Sequence, residues 1–152
     1  MTRKKKWLYI SSVFAVAITS IAFYLYKEYN RKKIDTAELQ PDHTIAASAI
    51  IKEFETDQSS ASKRYSDKII LVKGFVKDIL KDDHGFYSLM LGDTSSMSSV
   101  KCSMDSLHNN EAGPLQKGMY ATVKGVCAGF NADELLGSDV ILVRCMIEET
   151  KQ

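Results

Sequence analysis

Residues 69–80 read IILVKGFVKDIL and residues 119–130 read MYATVKGVCAGF. Both runs alternate apolar and other side chains around the same tripeptide, Val72-Lys73-Gly74 in one and Val123-Lys124-Gly125 in the other. Period-two alternation rich in β-branched and aromatic residues marks a strand with one buried face. A glycine inside such a strand has no side chain to pack and weakens it. Its presence needs a structural reason, and a bulge or a bend at a barrel corner supplies one.

Working outward, three shorter runs share the period. Gly85–Gly92 (GFYSLMLG) follows the polar turn Lys81–His84, Ser99–Met104 (SVKCSM) follows a Ser/Asp/Thr loop, and Val140–Glu148 (VILVRCMIE) comes last. Five strands, the first and fourth long and interrupted by glycine, with an irregular segment between the third and fourth, describe a five-stranded OB-type barrel. Another small all-β arrangement is the alternative. Upstream, Asp42 stands as an N-cap before a helix over His43–Thr56, with Ile45, Ala49, Ile50 and Phe54 on one amphipathic face. Asp57–Ser62 reads as a break and Ala61–Tyr65 as one further helical turn.

The beginning of the chain is of another kind. Trp7–Tyr26 (WLYISSVFAVAITSIAFYLY) is 20 residues without a charge. At about 1.5 Å per residue it spans roughly 30 Å, the hydrocarbon thickness of a bilayer. Trp7, Tyr24 and Tyr26 sit at its ends, where interfacial aromatics belong. A cleaved signal peptide is the rival reading, since Ala15-Val16-Ala17 and Ser20-Ile21-Ala22 have cleavage spacing, but the apolar run continues past both. Lipid attachment through a thiol is not expected, because the first cysteine is Cys102. The expected organisation is a basic terminus over 1–6, a transmembrane helix over 7–26, a polar linker over 27–41 and the barrel domain with its leading helix over 42–152. The fold class is therefore mainly β with an N-terminal transmembrane helix.

Charge divides the same way. Up to Gln40 there are eight Lys/Arg against three acids, and from Pro41 onward twelve against sixteen, so the total of +1 hides a basic anchor and an acidic body. The anchor suits anionic lipid, whereas the body is a poor start for holding a phosphate backbone. The cluster Arg3–Lys6 outweighs Lys27, Arg31, Lys32 and Lys33 by its added α-amino group. The positive-inside rule then puts the N-terminus in the cytoplasm and the domain in the periplasm or outside the cell.

From Ala46 to the end the pattern resembles the bacterial "tRNA-anti-like" OB-fold family. The matching pieces are the leading helix, the Lys63-Arg64-Tyr65-Ser66-Asp67-Lys68 lead-in, the Val-Lys-Gly pair, Val100-Lys101-Cys102, Gly125-Val126-Cys127-Ala128-Gly129 and Val143-Arg144-Cys145-Met146-Ile147. The resemblance implies a fold like that of anticodon-binding domains and exported or lipid-attached relatives. It carries no catalytic residue.

Strand alternation turns Cys102 inward with Val100 and Met104, and Cys145 inward with Ile141, Val143 and Ile147. Buried free thiols are one reading of the three cysteines. The other is a disulfide, Cys127–Cys145 before Cys102–Cys145, which would stabilise by about 3 kcal/mol if unstrained. No CxxC or paired histidine points to zinc. Asp82, Asp83, Asp133 and Glu134 fall in the loops that flank the usual ligand face of an OB barrel. Calcium there is disfavoured, since Asp82-Asp83-His84 lacks alternating ligands. Phe86 and Tyr87 are candidates for stacking and Lys101 for an anionic contact. With no nucleophile–base pair or phosphate loop, the chain is not expected to be an enzyme and needs no cofactor. The expected function is a membrane-anchored binding or scaffolding module, with the bilayer and a protein, peptide or glycan as partners. A cytoplasm-facing nucleic-acid binder is the alternative, disfavoured by the acidic body.

Overall fold

The computed structural model describes residues 18–24, 26, 35–133 and 137–151. In chain order its elements are β1 (His43–Ala46), α1 (Ala47–Thr56), α2 (Gln58–Tyr65), β2 (Ile69–Lys81), β3 (Tyr87–Leu91), β4 (Ser99–Met104), β5 (Tyr120–Asn131) and β6 (Asp139–Lys151). Short 3-10 turns form at Thr36–Glu38 and Asn109–Ala112.

The two Val-Lys-Gly strands lie side by side. Over its first half β2 runs antiparallel to β5, with Val72 opposite Val123; over its second half it pairs with β3. The handover falls beside Gly74, with a register shift between Val76 and Asp78. β3 continues antiparallel to β4, β4 parallel to β6, and β6 antiparallel to β5, which returns to β2 and closes a five-stranded mixed barrel of OB type. The inward residues of all five strands form one core: Val72, Val76, Leu89, Val100, Val123 and Leu142 are fully buried. Each is worth roughly 1.5–3 kcal/mol of removed apolar surface.

The leading segment departs from its expected form. His43–Ala46 is a strand, paired parallel to β2, and the helix starts only at Ala47. Pairing with an open edge of β2 satisfies this backbone, so Asp42 does not cap the helix. Its carboxylate accepts from Ile69 N–H at 2.9 Å and steadies the start of β2. The buried face of α1 is consequently Ala47, Ile50, Ile51 and Phe54, and Ala49 is exposed. Phe54 stacks on Phe130 at 5.0 Å. The expected break at Asp57–Ser62 is mostly helix, because the Asp57 side chain accepts from Ser60 N–H at 3.0 Å and caps α2.

On β6 the expected inward set was Ile141, Val143, Cys145 and Ile147. The fully buried set is Val140, Leu142 and Cys145. Lys124 pairs with Met146 and Val126 with Val143, so Arg144 and Cys145 together face Gly125. This bulge, where Arg144 takes φ +55°, shifts the alternation by one.

The expected transmembrane span, 7–26, lies mostly outside the described residues, as do 1–6 and 27–34. Residues 18–24 and 26 are helical and exposed, and no helix of the described residues is long and apolar enough to cross a membrane. The compact unit that carries the barrel begins at Asp35, so residues 35–41, expected in the linker, are part of it.

Candidate ligand-binding face

Leu89, Leu91, Val100 and Cys102 point into the core, so Ser88 and Met90 on β3 and Lys101 and Ser103 on β4 face outward. Register sets them in two rows. One runs Asp78, Met90, Lys101, Ile141 and the next Leu80, Ser88, Ser103. The result is a strip of hydroxyls and apolar side chains that carries one carboxylate, Asp78, and one strand-borne cation, Lys101. Among the described residues Lys101 makes no hydrogen bond or ion pair, whereas Asp78 is taken by Lys117 at 2.8 Å, which holds its carboxyl below the usual range.

The expected site residues distribute around this strip unevenly. At one end is the β2–β3 hairpin. The Asp82 carboxylate accepts N–H groups from His84 (2.9 Å) and Phe86 (2.8 Å), so it builds the turn instead of facing a ligand. Asn109 pins the hairpin by donating to Gly85 O and accepting from Tyr87 N–H. Phe86 is 45% exposed and Asp83 exposed. Tyr87, expected to stack, alternates with Leu89 and packs against the core, with Lys81 Nζ 5.0 Å from its ring. Asp133 lies at the opposite end, after β5, and Glu134 falls outside the described residues. The strip thus holds Lys101, with Phe86 and Asp83 in the hairpin at its end. It leaves Tyr87 inside and Asp82 occupied.

The three cysteines are free and buried. No Cys127–Cys145 bridge is present, because register places Cys127 opposite Leu142 while Cys145 lies against Cys102. Burial pushes the Cys145 thiol well up, with Cys102 adding to it, and burial raises Cys127 also, so neither is a ready nucleophile. Among the described residues no group of three His, Cys, Asp or Glu is placed to hold a metal ion.

A second concavity escaped the sequence reading. An open cleft of about 550 Å³ lies beside Gly74, lined by Lys73, Phe75, Asp93, Thr94 and Tyr120 among others. Phe75 is 52% exposed and meets Tyr120 edge-on at 5.2 Å. The signal was in the quoted stretch, since alternation around Val72 and Val76 puts Lys73 and Phe75 outside together.

The model of the tRNA_anti-like family matches residues 1–147. Among solved structures, a candidate nucleic-acid-binding lipoprotein of Klebsiella pneumoniae superposes with a TM-score of 0.53 at 17% identity, over 74% of this chain and 94% of that one. An asparaginyl-tRNA synthetase of Entamoeba histolytica, with asparaginyl-adenylate, gives a TM-score of 0.44 at 10% identity, over 74% of this chain and 25% of that one. No curated protein matches in sequence. At 17% identity the likeness to the Klebsiella protein speaks to the fold alone.

Proposed function

The chain belongs to the tRNA_anti-like family, and from that membership we propose that it is a membrane-held OB-fold module binding short single-stranded nucleic acid across the outer surface of β3, β4 and β6. The observation that carries this reading is the strip itself, where the Lys101 ammonium, unpaired among the described residues, stands between Met90 and Ile141, with the Ser88 and Ser103 hydroxyls in the next row. Single-strand binders combine cations for the backbone with flat apolar surface for bases, and Phe86 at the margin adds an aromatic face. The Klebsiella protein, described as both a candidate nucleic-acid binder and a lipoprotein, supports both halves of the reading. Here the 20-residue uncharged run over 7–26 supports the membrane attachment. The charge asymmetry around that span supports a domain outside the cytoplasm, and a reporter fused after Gln152 that works only in the cytoplasm overturns this reading.

One lysine and an acidic body make for weak binding with few phosphate contacts. The test is fluorescence anisotropy of a labelled six-nucleotide single strand with the full chain in detergent. Saturable binding is expected, weaker on Lys101→Glu, with log K falling against log salt at about −0.7 per phosphate held, hence a slope of −1 to −1.5 for roughly two. No binding at low salt, or no response to Lys101→Glu, defeats the proposal. The excess of acids over bases beyond Pro41 favours a second reading, a basic peptide on the same strip. Displacement of the labelled strand by oligolysine, with tighter binding of the peptide itself, would establish it instead.

A further inference from the structure

The cleft beside Gly74 has a cause in the topology. One edge of β2 is covered by β1 as far as Lys73 and by β3 from Val76 onward. Between them β1 leaves into α1 at Ala47, and β3 leaves at Gly92, whose N–H donates to Phe75 O at 3.0 Å. Two strands therefore part over Gly74, where a Cβ would come within 2.9 Å of the Ala47 Cβ. Gly118, where a Cβ would meet nothing within 4 Å, keeps part of the lining low, so ligand atoms can approach backbone there. A cavity of about 550 Å³ is of the size that holds a small molecule.

Its chemistry is mixed in a particular way. Phe75 and Tyr120 present a paired aromatic edge and face at one side, and a phenylalanine left half-exposed in a strand is the kind of surface a planar ring covers. Lys73, beside it, is exposed and makes no hydrogen bond or ion pair among the described residues. Across the cleft the Asp93 carboxylate accepts from the N–H (2.9 Å) and hydroxyl (2.8 Å) of Ser95 through one oxygen, bonds that keep it ionised. Among the described residues its second oxygen makes no hydrogen bond and can accept from a ligand hydroxyl. Thr94 and Ser48 add hydroxyls of their own. A planar ring, one anion and hydroxyl groups between them are the parts of a nucleotide.

We infer that this cleft is a nucleotide subsite, with the base on Phe75 and Tyr120, the phosphate at Lys73 and the sugar hydroxyls at Asp93. It is separate from the strip on β3, β4 and β6. It deepens the nucleic-acid reading, on which it rests for its source of ligand, by supplying a place for the terminal nucleotide of a strand.

The test is equilibrium dialysis of the full chain in detergent against uridine 5′-monophosphate, with uridine and inorganic phosphate as separate arms. The monophosphate is expected to bind at least about tenfold better than either part. Phe75→Ala should weaken it about tenfold, the size of one lost stacking contact. Phe75→Leu, which keeps apolar bulk without the ring, should act in the same direction and covers the case in which the alanine variant fails to fold. Lys73→Glu should bring the monophosphate down to the level of uridine. Monophosphate held no better than uridine, or Phe75→Leu and Lys73→Glu both binding as the parent does, overturns the inference. So does N-acetylphenylalanine binding as well as the nucleotide, which would point to a peptide carboxylate. The two readings fail separately. A strand sensitive to Lys101→Glu but indifferent to Phe75→Leu removes the cleft alone. A monophosphate bound in the cleft, with no strand binding, removes the strip alone.

Discussion

Lys73 and Lys124 occupy the same place in the same tripeptide, on neighbouring strands, and meet opposite fates. Lys73 is exposed and unpaired among the described residues, whereas Lys124 is only 4% exposed. The difference lies outside the motif. Residues 35–39 cross the outer surface of β5 and β6 as a strap, and the Lys124 ammonium donates to Ala37 O at 3.2 Å and to Glu148 at 3.1 Å. No such strap covers Lys73, which instead borders the cleft. The glycines differ likewise. A Cβ on Gly74 meets one helix at Ala47, but on Gly125 it meets Cys145 Sγ at 2.6 Å, with Leu142 Cβ and Val143 O at 3.3 Å. A tripeptide dictates a bent strand and an inward valine; what packs on its other side decides whether it becomes a seam or a site.

The largest expected effect breaks the glycine half of the comparison. Gly125→Ala should cost about 3 kcal/mol, the upper end for overpacking, since its three neighbours surround it, and Gly74→Ala about 1–2 kcal/mol, since α1 can shift. Denaturant midpoints at constant m-value measure both. If the Cys145 sulfur is the obstacle, Cys145→Ala should partly rescue Gly125→Ala, so that the double variant is clearly less damaged than the sum of the singles. Strict additivity would refute that account of the bulge.

The lysines come next. Lys124→Ala should lose about 2 kcal/mol through its stem packing and its bonds to the strap, with Glu148 free to resolvate. Lys73→Ala should stay within about 0.5 kcal/mol. Equal costs would mean that the strap does not distinguish the two positions. A smaller effect of opposite sign tests the strap from its own side. Thr36 is fully buried, and its hydroxyl finds no hydrogen-bond partner among the described residues. Thr36→Val should therefore stabilise by about 1 kcal/mol, read as a raised thermal midpoint, because it removes a desolvated polar atom at nearly constant shape.

The strap also marks the limit of what the sequence discloses. The five strands, the Val-Lys-Gly echo and the inward Val100, Cys102 and Met104 were legible, because each follows from a local period of two. Residues 35–39 were not, since Asp-Thr-Ala-Glu-Leu has no period and its burial depends on a lysine and a histidine far along the chain. His43–Ala46 reads equally as helix or strand until the open edge of β2 is known. The β6 alternation failed at one residue, Arg144, where no glycine announced the bulge. For the site, alternation placed Lys101 outside, but Tyr87, offered together with Phe86 for stacking, shares the inward parity of Leu89, so only Phe86 of that pair faces outward. Alternation around Val72 and Val76 disclosed the outward Lys73 and Phe75, but the cleft they border was missed because it is made by two strands parting, which no single segment encodes.

The smallest expected effect is a pH dependence at the strap's end. His108 Nε2 lies 2.9 Å from Asp35 Oδ1 and Nδ1 lies 2.6 Å from Glu111 Oε1, and Glu111 also accepts from Ile147 N–H. The neighbouring charge that bears on Asp35 from β6 is Arg144. Hydrogen bonding to Glu111 foremost, and then to Asp35, raises the imidazole above its usual value against the opposing effect of burial. Only the protonated ring has donors for both carboxylates. A raised folded-state value means that the contribution is complete below an unfolded pKa of about 6.5 and is lost as pH rises through the folded value. Asp35 works the other way: its carboxyl is lowered, chiefly by Ala37 N–H and then by His108, so its share is present above about 3.8 and is lost as pH falls below that. The strap should hold best between these limits. On raising the pH from 6 toward 9 the thermal midpoint should fall by the equivalent of at most about 1 kcal/mol, as for other partly exposed ion pairs. His108→Gln should flatten that slope and leave the difference between Lys124→Ala and Lys73→Ala in place. If the slope survives in His108→Gln, the dependence belongs elsewhere, and protonation of His108 is not what holds the strap.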